Sequence, residues 1–121
     1  MLNHPIALYV IVSASIILDL ISGFLQAVHN HTVSSTKLRD GIFHKLAYFV
    51  AIALVLLLEY ACKYLDLGFS VELFIPLCAY IVVTEAVSVF ENLARINPEL
   101  LNSPIFNLLS ANQKRRDDDE R

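Results

Sequence analysis

Residues 46–58 read LAYFVAIALVLLL and contain no charged side chain. A helix through this stretch is apolar on every side, whereas a helix on the surface of a soluble protein presents a polar face to water. This helix therefore requires lipid or complete burial. With its flanks, over residues 42–64, the stretch reaches the length of about 20 mostly apolar residues that a helix needs to cross a bilayer.

Two further runs have the same length and character, residues 5–28 and 71–93, and each contains one central acidic residue, Asp19 or Glu85. Asp19 costs about 3 kcal/mol at the membrane centre, and each Ile, Leu, Val or Phe around it returns roughly 0.3–0.6 kcal/mol. The first run therefore still inserts. No basic residue precedes it, so we do not expect it to be a cleaved signal peptide. The sequence predicts an all-α membrane protein with three transmembrane helices.

The overall composition agrees with a membrane protein and excludes several functions. Of 121 residues, 56% are apolar and 17% are charged, which is too few charges for a soluble domain of this size. The net charge of −3 does not fit a nucleic-acid-binding surface. The two cysteines lie in apolar stretches and the three glycines form no phosphate-binding loop. We expect no enzyme activity, no cofactor, no metal site and no nucleic-acid partner.

The remaining segments are polar connections and a polar end. We predict a polar connector over residues 29–45, with Asp40 capping a helix that begins near Gly41, and a tight turn around Gly68. After the third span, residues 97–110 are amphipathic and suit the membrane surface or the helical bundle.

Two prolines organise this C-terminal region. Pro98 and Pro104 each follow a polar residue, which predicts the first positions of two short helices. Residues 114–121 are all charged and form a solvated tail. We therefore expect one membrane domain over residues 1–113, followed by this tail.

Basic residues near the spans indicate the orientation, because loops rich in Lys and Arg stay in the cytoplasm. They gather after the first span and after the third, which places the connector and the C-terminus in the cytoplasm and the N-terminus outside. These topology signals are Lys37, Arg39, Lys45, Arg95, Lys114, Arg115 and Arg116.

Polar side chains within the spans are the candidate functional residues, because each costs several kcal/mol in lipid unless it faces water or a partner. Helical spacing places them in one stripe on the first span and one on the third. The first stripe is Ser15, Asp19, Ser22 and Gln26; the second is Tyr80, Thr84, Ser88, Glu91 and Arg95, with Glu85 and Asn92 beside it.

Two interpretations of the stripes remain open. They hydrogen-bond to each other inside a monomer or fixed oligomer, or they line an aqueous lumen formed by many copies, since three helices are too few to enclose a channel. On the second span, Glu59 and Lys63 are four residues apart and suit an intramembrane ion pair. Gly23 suits a close approach of two helices.

These residues resemble the phage lysis and toxin-secretion holin family. The resemblance rests on Asp19-x-x-Ser22-Gly23-x-x-x-Ala27, on Ser34-Ser35 followed by Gly41-x-x-x-Lys45, and on Glu85-x-x-Ser88-x-x-Glu91-Asn92, and it covers residues 15–100. It implies a homo-oligomer in the bacterial cytoplasmic membrane. It further implies large pores that release an endolysin or a large toxin, with an antiholin as a further partner.

Two other functions use the same residues. A small oligomeric ion channel or transporter would bind a proton or cation at Asp19 or Glu85, although the sequence shows no inverted repeat or interrupted helix. An antiholin-type inhibitor subunit would share the fold and block the pore.

Overall fold

The computed structural model describes residues 4–102 and 104–119, and these residues contain helices and no strand. Three helices are long and apolar enough to cross a membrane, which confirms the predicted fold class. The helices are α1 (Ile6–His29), α2 (Ser35–Tyr64), α3 (Phe74–Ile96) and α4 (Pro104–Asp119), with a short 3-10 helix (Pro98–Asn102) before α4.

Helix α1 ends in a hydrogen-bonded turn that reverses the chain. The backbone N–H of Thr32 donates to the carbonyl of Ala27 at 2.8 Å, and His31 takes a left-handed conformation with φ of 55°. This is the usual geometry of a Schellman-type helix end. The 24 residues of α1 extend about 36 Å at 1.5 Å per residue, enough for a hydrocarbon core of about 30 Å.

The second helix begins earlier than predicted. Ser34, not Asp40, is its N-cap, because the Ser34 hydroxyl accepts the N–H of Lys37 at 3.3 Å. The predicted polar connector over residues 29–45 is therefore wrong in its second half, which is helical from Ser35 onwards. Ser34 satisfies a free N–H group six residues before Asp40, so the helix continues through the polar residues between them.

The hydrophobic core lies mainly between α1 and α3, which make the most extensive helix contact in the molecule. Helix α2 packs against both less closely. It connects to α3 through residues 65–73, where Gly68 has φ of 80°, a conformation that glycine adopts readily. The buried residues of this core are Val12, Ile16, Ile52, Phe74, Cys78 and Ile81.

The two prolines of the C-terminal region occupy first helical positions, as predicted: Pro98 begins the 3-10 helix and Pro104 begins α4. Helix α4 runs to Asp119, so the charged tail is helical as far as this residue, and its described side chains are exposed. Residues 120–121 lie outside the described part. The placement of residues 97–110 on the membrane surface stays a prediction.

Candidate functional site

A cluster of five buried polar side chains joins the three long helices halfway along their length. Asp19 and Glu85 stand near the midpoints of α1 and α3, at the depth where a charged group costs most in lipid. We call this group the buried polar cluster. Its members are Asp19, Ser22, Lys45, Glu85 and Asn92, each at most 8% exposed.

The ammonium group of Lys45 is the centre of the cluster. Its Nζ donates to Oδ2 of Asp19 at 2.6 Å and to Oε2 of Glu85 at 2.7 Å, so one cation on α2 bridges two carboxylates on α1 and α3. With all three groups ionised, the formal charge of the group is −1. These short charge-assisted hydrogen bonds are the principal polar connection of α2 to the other two helices among the described residues.

Asn92 and Ser22 complete the network. Asn92 Nδ2 donates to Oδ1 of Asp19 at 3.0 Å and to Oγ of Ser22 at 3.1 Å, and the Ser22 hydroxyl donates to the backbone carbonyl of Asp19 at 3.1 Å. Within the described residues, every buried side-chain nitrogen and oxygen has a hydrogen-bond partner. The chain therefore shields its mid-membrane polar groups from lipid at no cost in unsatisfied hydrogen bonds.

Lys45 was expected among the topology signals at the membrane surface, but the structure places it inside the cluster. The reason is the early start of α2, which moves Lys45 three turns into the helix and seven residues from the buried Ile52, on the same face. The other residues predicted as topology signals are exposed: Lys37, Arg39, Arg95, Lys114, Arg115 and Arg116.

The polar stripe expected on α1 faces the bundle along its length. Asp19 and Ser22 belong to the cluster, while Ser15 and Gln26 are half-buried on either side of it. The Ser15 hydroxyl donates to the Val12 carbonyl at 2.7 Å, and Gln26 Oε1 accepts from Asn30 at 2.9 Å. These two flanking residues thus have partners within α1.

The stripe expected on α3 is rotated away from the contact with α1. Tyr80, Glu91 and Arg95 are exposed, and Thr84 and Ser88 are half-buried at the edge of the contact. The inward face contains Glu85 and Asn92, which the sequence placed beside the stripe. It also contains the apolar residues Phe74, Cys78, Ile81 and Ala94. The buried face of α3 is thus apolar in its first half and mainly polar in its second.

Gly23 lies where α1 approaches Asn92 of α3. A Cβ atom at this position would stand 3.5 Å from Asn92 Nδ2, which is an ordinary van der Waals distance. The helices are therefore close at Gly23, and a small side chain also fits there.

Glu59 has a different partner from the one expected. Its Oε2 lies 2.8 Å from Nε2 of His4, whose ring stacks on Phe74 with ring centroids 4.1 Å apart. Lys63 is exposed, with its Nζ 5.3 Å from the ring centre of Tyr64. The expected Glu59–Lys63 pair is absent from the ion pairs of the described residues, in which the Glu59 carboxylate is paired with His4.

A cavity of about 270 Å³ adjoins the buried polar cluster on the side of the α1–α2 connection. Asp19 and Lys45 form its inner end, and Thr32 and Lys37 lie at its exposed end. In residues 4–102 and 104–119, no group of three or more His, Cys, Asp or Glu side chains is placed to hold a metal ion.

The structure thus consists of three membrane-length helices joined by the buried polar cluster. Comparison with known proteins identifies the family of this chain. The sequence profile of the bacteriophage holin family matches residues 2–110. No curated protein and no solved structure gives a significant match. Because the family match covers nearly the whole chain and the helices suit a membrane, the chain belongs to the bacteriophage holin family.

Proposed function

We propose that the protein is a holin that accumulates in the bacterial cytoplasmic membrane and forms large pores. Its N-terminus lies outside, and its C-terminus lies in the cytoplasm. Many copies assemble, since three helices of this size cannot surround a passage for a folded protein. The open assembly releases an endolysin or a large toxin to the outer side of the membrane. Membership of the holin family supports this proposal.

The observation that carries the proposal is the buried polar cluster. Its two carboxylates, one ammonium and one amide are partnered within one chain, so a single closed subunit is compatible with lipid on all sides. Separation of the helices in lipid would expose these groups at several kcal/mol each, whereas separation beside water would not. The cluster therefore keeps the subunit closed and supplies polar surface for a lumen once many copies assemble.

The same cluster makes opening sensitive to the energised state of the membrane. Moving one elementary charge through the field is worth about 2.3 kcal/mol per 100 mV, and the cluster holds three ionisable groups near the membrane centre. A rearrangement that carries any of them toward one surface changes in free energy when the potential collapses. The same residues therefore hold the subunit closed and set the time at which it opens.

Induced expression tests the proposal against the two other functions. A holin produces an abrupt fall in culture density with release of a folded cytoplasmic enzyme. An ion channel or transporter collapses ion gradients while the enzyme stays inside, and that result would overturn the proposal. An antiholin-type inhibitor causes no leakage by itself and delays lysis when a second holin is expressed. That result would also overturn the proposal.

A further inference from the structure

Along the membrane normal, the buried polar cluster lies between the apolar core and the polar cavity. The His4–Glu59 pair lies beyond the core, at the end of the subunit opposite to the cavity. In α1, the core residues Val12 and Ile16 come before Asp19, and the cavity-lining residues, between positions 20 and 27, come after it. The change from dry packing to a polar cavity therefore occurs at the depth of Asp19.

Helix α2 repeats this order in the opposite direction. Its cavity-lining residues lie between positions 34 and 41, before Lys45, and its core residue Ile52 comes after Lys45. Because α2 runs antiparallel to α1, both helices place the cavity at the end that carries the α1–α2 connection.

Helix α3 shows the same division. Cys78 and Ile81 belong to the core and precede Glu85, whereas Ser88 and Asn92 line the cavity and follow it. In all three helices, the boundary between the apolar core and the polar cavity therefore lies at the level of the Lys45 ion pairs.

The cavity is large enough for water and has polar side chains at its inner and outer ends. Its volume of about 270 Å³ has room for several water molecules. Its outer lining residues Thr32, Val33 and Lys37 are exposed, so the space reaches the molecular surface. More than half of the lining residues are polar, namely Asp19, Gln26, Thr32, Ser34, Lys37, Lys45, Ser88 and Asn92.

We infer that each closed subunit contains a one-sided aqueous vestibule, which admits water and small polar solutes from the connector side as far as Asp19 and Lys45. The apolar core on the far side, with Ile81 fully buried, closes the path to the opposite surface. The vestibule exists in the closed subunit and does not depend on hole formation. It brings water from one side to Asp19 and Lys45, two of the three ionisable groups at mid-membrane depth, while Glu85 stays buried.

Thiol accessibility in the full-length chain tests this inference, and α3 supplies a matched pair of positions. The native Cys78, which is 3% exposed, probes the apolar core in a Cys62→Ser background. Ser88→Cys, with Cys62→Ser and Cys78→Ser, probes the vestibule. Ala27→Cys in the same double-serine background probes it from α1, in case the change at Ser88 disturbs the neighbouring cluster. Lys114→Cys, in the exposed tail on the connector side of the membrane, identifies that side in spheroplasts and inverted vesicles.

The reagent is a small quaternary-ammonium methanethiosulfonate, which does not cross membranes, applied before any hole opens. We expect Ser88→Cys and Ala27→Cys to react from the side of Lys114→Cys at least about 100-fold faster than Cys78, because the thiolate forms far more readily beside water than in dry packing. The inference is overturned if both vestibule probes react as slowly as Cys78 but become fully reactive after denaturation. That result means that the cavity is sealed or filled with lipid. Equal reaction from both sides also overturns the inference.

Discussion

Replacement of Lys45 by Met is the most informative perturbation of the buried polar cluster. Met preserves most of the side-chain length and removes the cation, together with the hydrogen bonds at 2.6 and 2.7 Å to Asp19 and Glu85. Removing one partner of a buried ion pair costs about 3–5 kcal/mol, because the other partner remains buried without compensation. Two carboxylates then remain together, and uptake of a proton by one of them limits the cost. We expect Lys45→Met to destabilise the closed subunit by about 4 kcal/mol.

The cluster also predicts an order among its variants. One cation and two carboxylates give a formal charge of −1, so Glu85→Gln leaves a neutral Lys45–Asp19 pair and an amide oxygen that still accepts a hydrogen bond. Its expected cost is about 1 kcal/mol, close to that of one ordinary hydrogen bond. Lys45→Met therefore destabilises the subunit more than Glu85→Gln does, although each removes a single charge.

The assay is reversible unfolding in mixed micelles by titration with SDS, followed by the loss of helical circular dichroism. Lys63→Met is the matched control, since Lys63 is exposed on the same helix and should change the free energy of unfolding by less than about 0.5 kcal/mol. Equal free energies of unfolding for the Lys45→Met and Lys63→Met proteins would refute the reasoning, and so would a larger effect of Glu85→Gln than of Lys45→Met.

Three further changes have defined outcomes in the same unfolding assay. Ser34→Ala should cost about 1 kcal/mol because Ser34 caps α2, whereas Asp40→Ala should cost nothing measurable; the reverse order would restore the cap expected at Asp40. Asn92→Leu removes two hydrogen bonds to α1 and should cost about 1–3 kcal/mol, and an unchanged midpoint would contradict this. Ile81→Ala in the core should cost about 2–5 kcal/mol and Val83→Ala, on the exposed face, less than about 1 kcal/mol; similar costs would place the core elsewhere.

The sequence predicted the three membrane helices well, because length and continuous hydrophobicity are properties of each segment alone. The start of α2 was predicted less well. Asp40 before Gly41 is a sound N-cap signal, but Ser34 is an equally suitable cap that comes earlier, and polar residues do not stop a helix that has already begun. The choice between two capping residues depends on where the preceding helix turns, which the Thr32–Ala27 hydrogen bond fixes.

The candidate site was half predictable. Asp19 and Glu85 were identified because carboxylates inside spans require an explanation, but their partner Lys45 was counted as a topology signal. A signal for it existed, since two acidic residues at mid-depth require a cation and Lys45 lies seven residues before the buried Ile52 on the same face of α2. The sequence could not predict which face of α3 packs against α1. Glu85 and Glu91 are equally polar, and only the packing against α1 makes Glu85 buried and leaves Glu91 exposed.

The time at which a folded cytoplasmic enzyme escapes from induced cells tests most directly the claim that the buried polar cluster controls hole opening. Asp19→Asn and Glu85→Gln alter the cluster, and Asp40→Asn and Glu91→Gln make the same chemical changes at exposed positions. We expect the two cluster variants to shift the onset of release and the two exposed variants to keep the onset of the unsubstituted protein. Unaltered onset in both cluster variants would contradict this expectation.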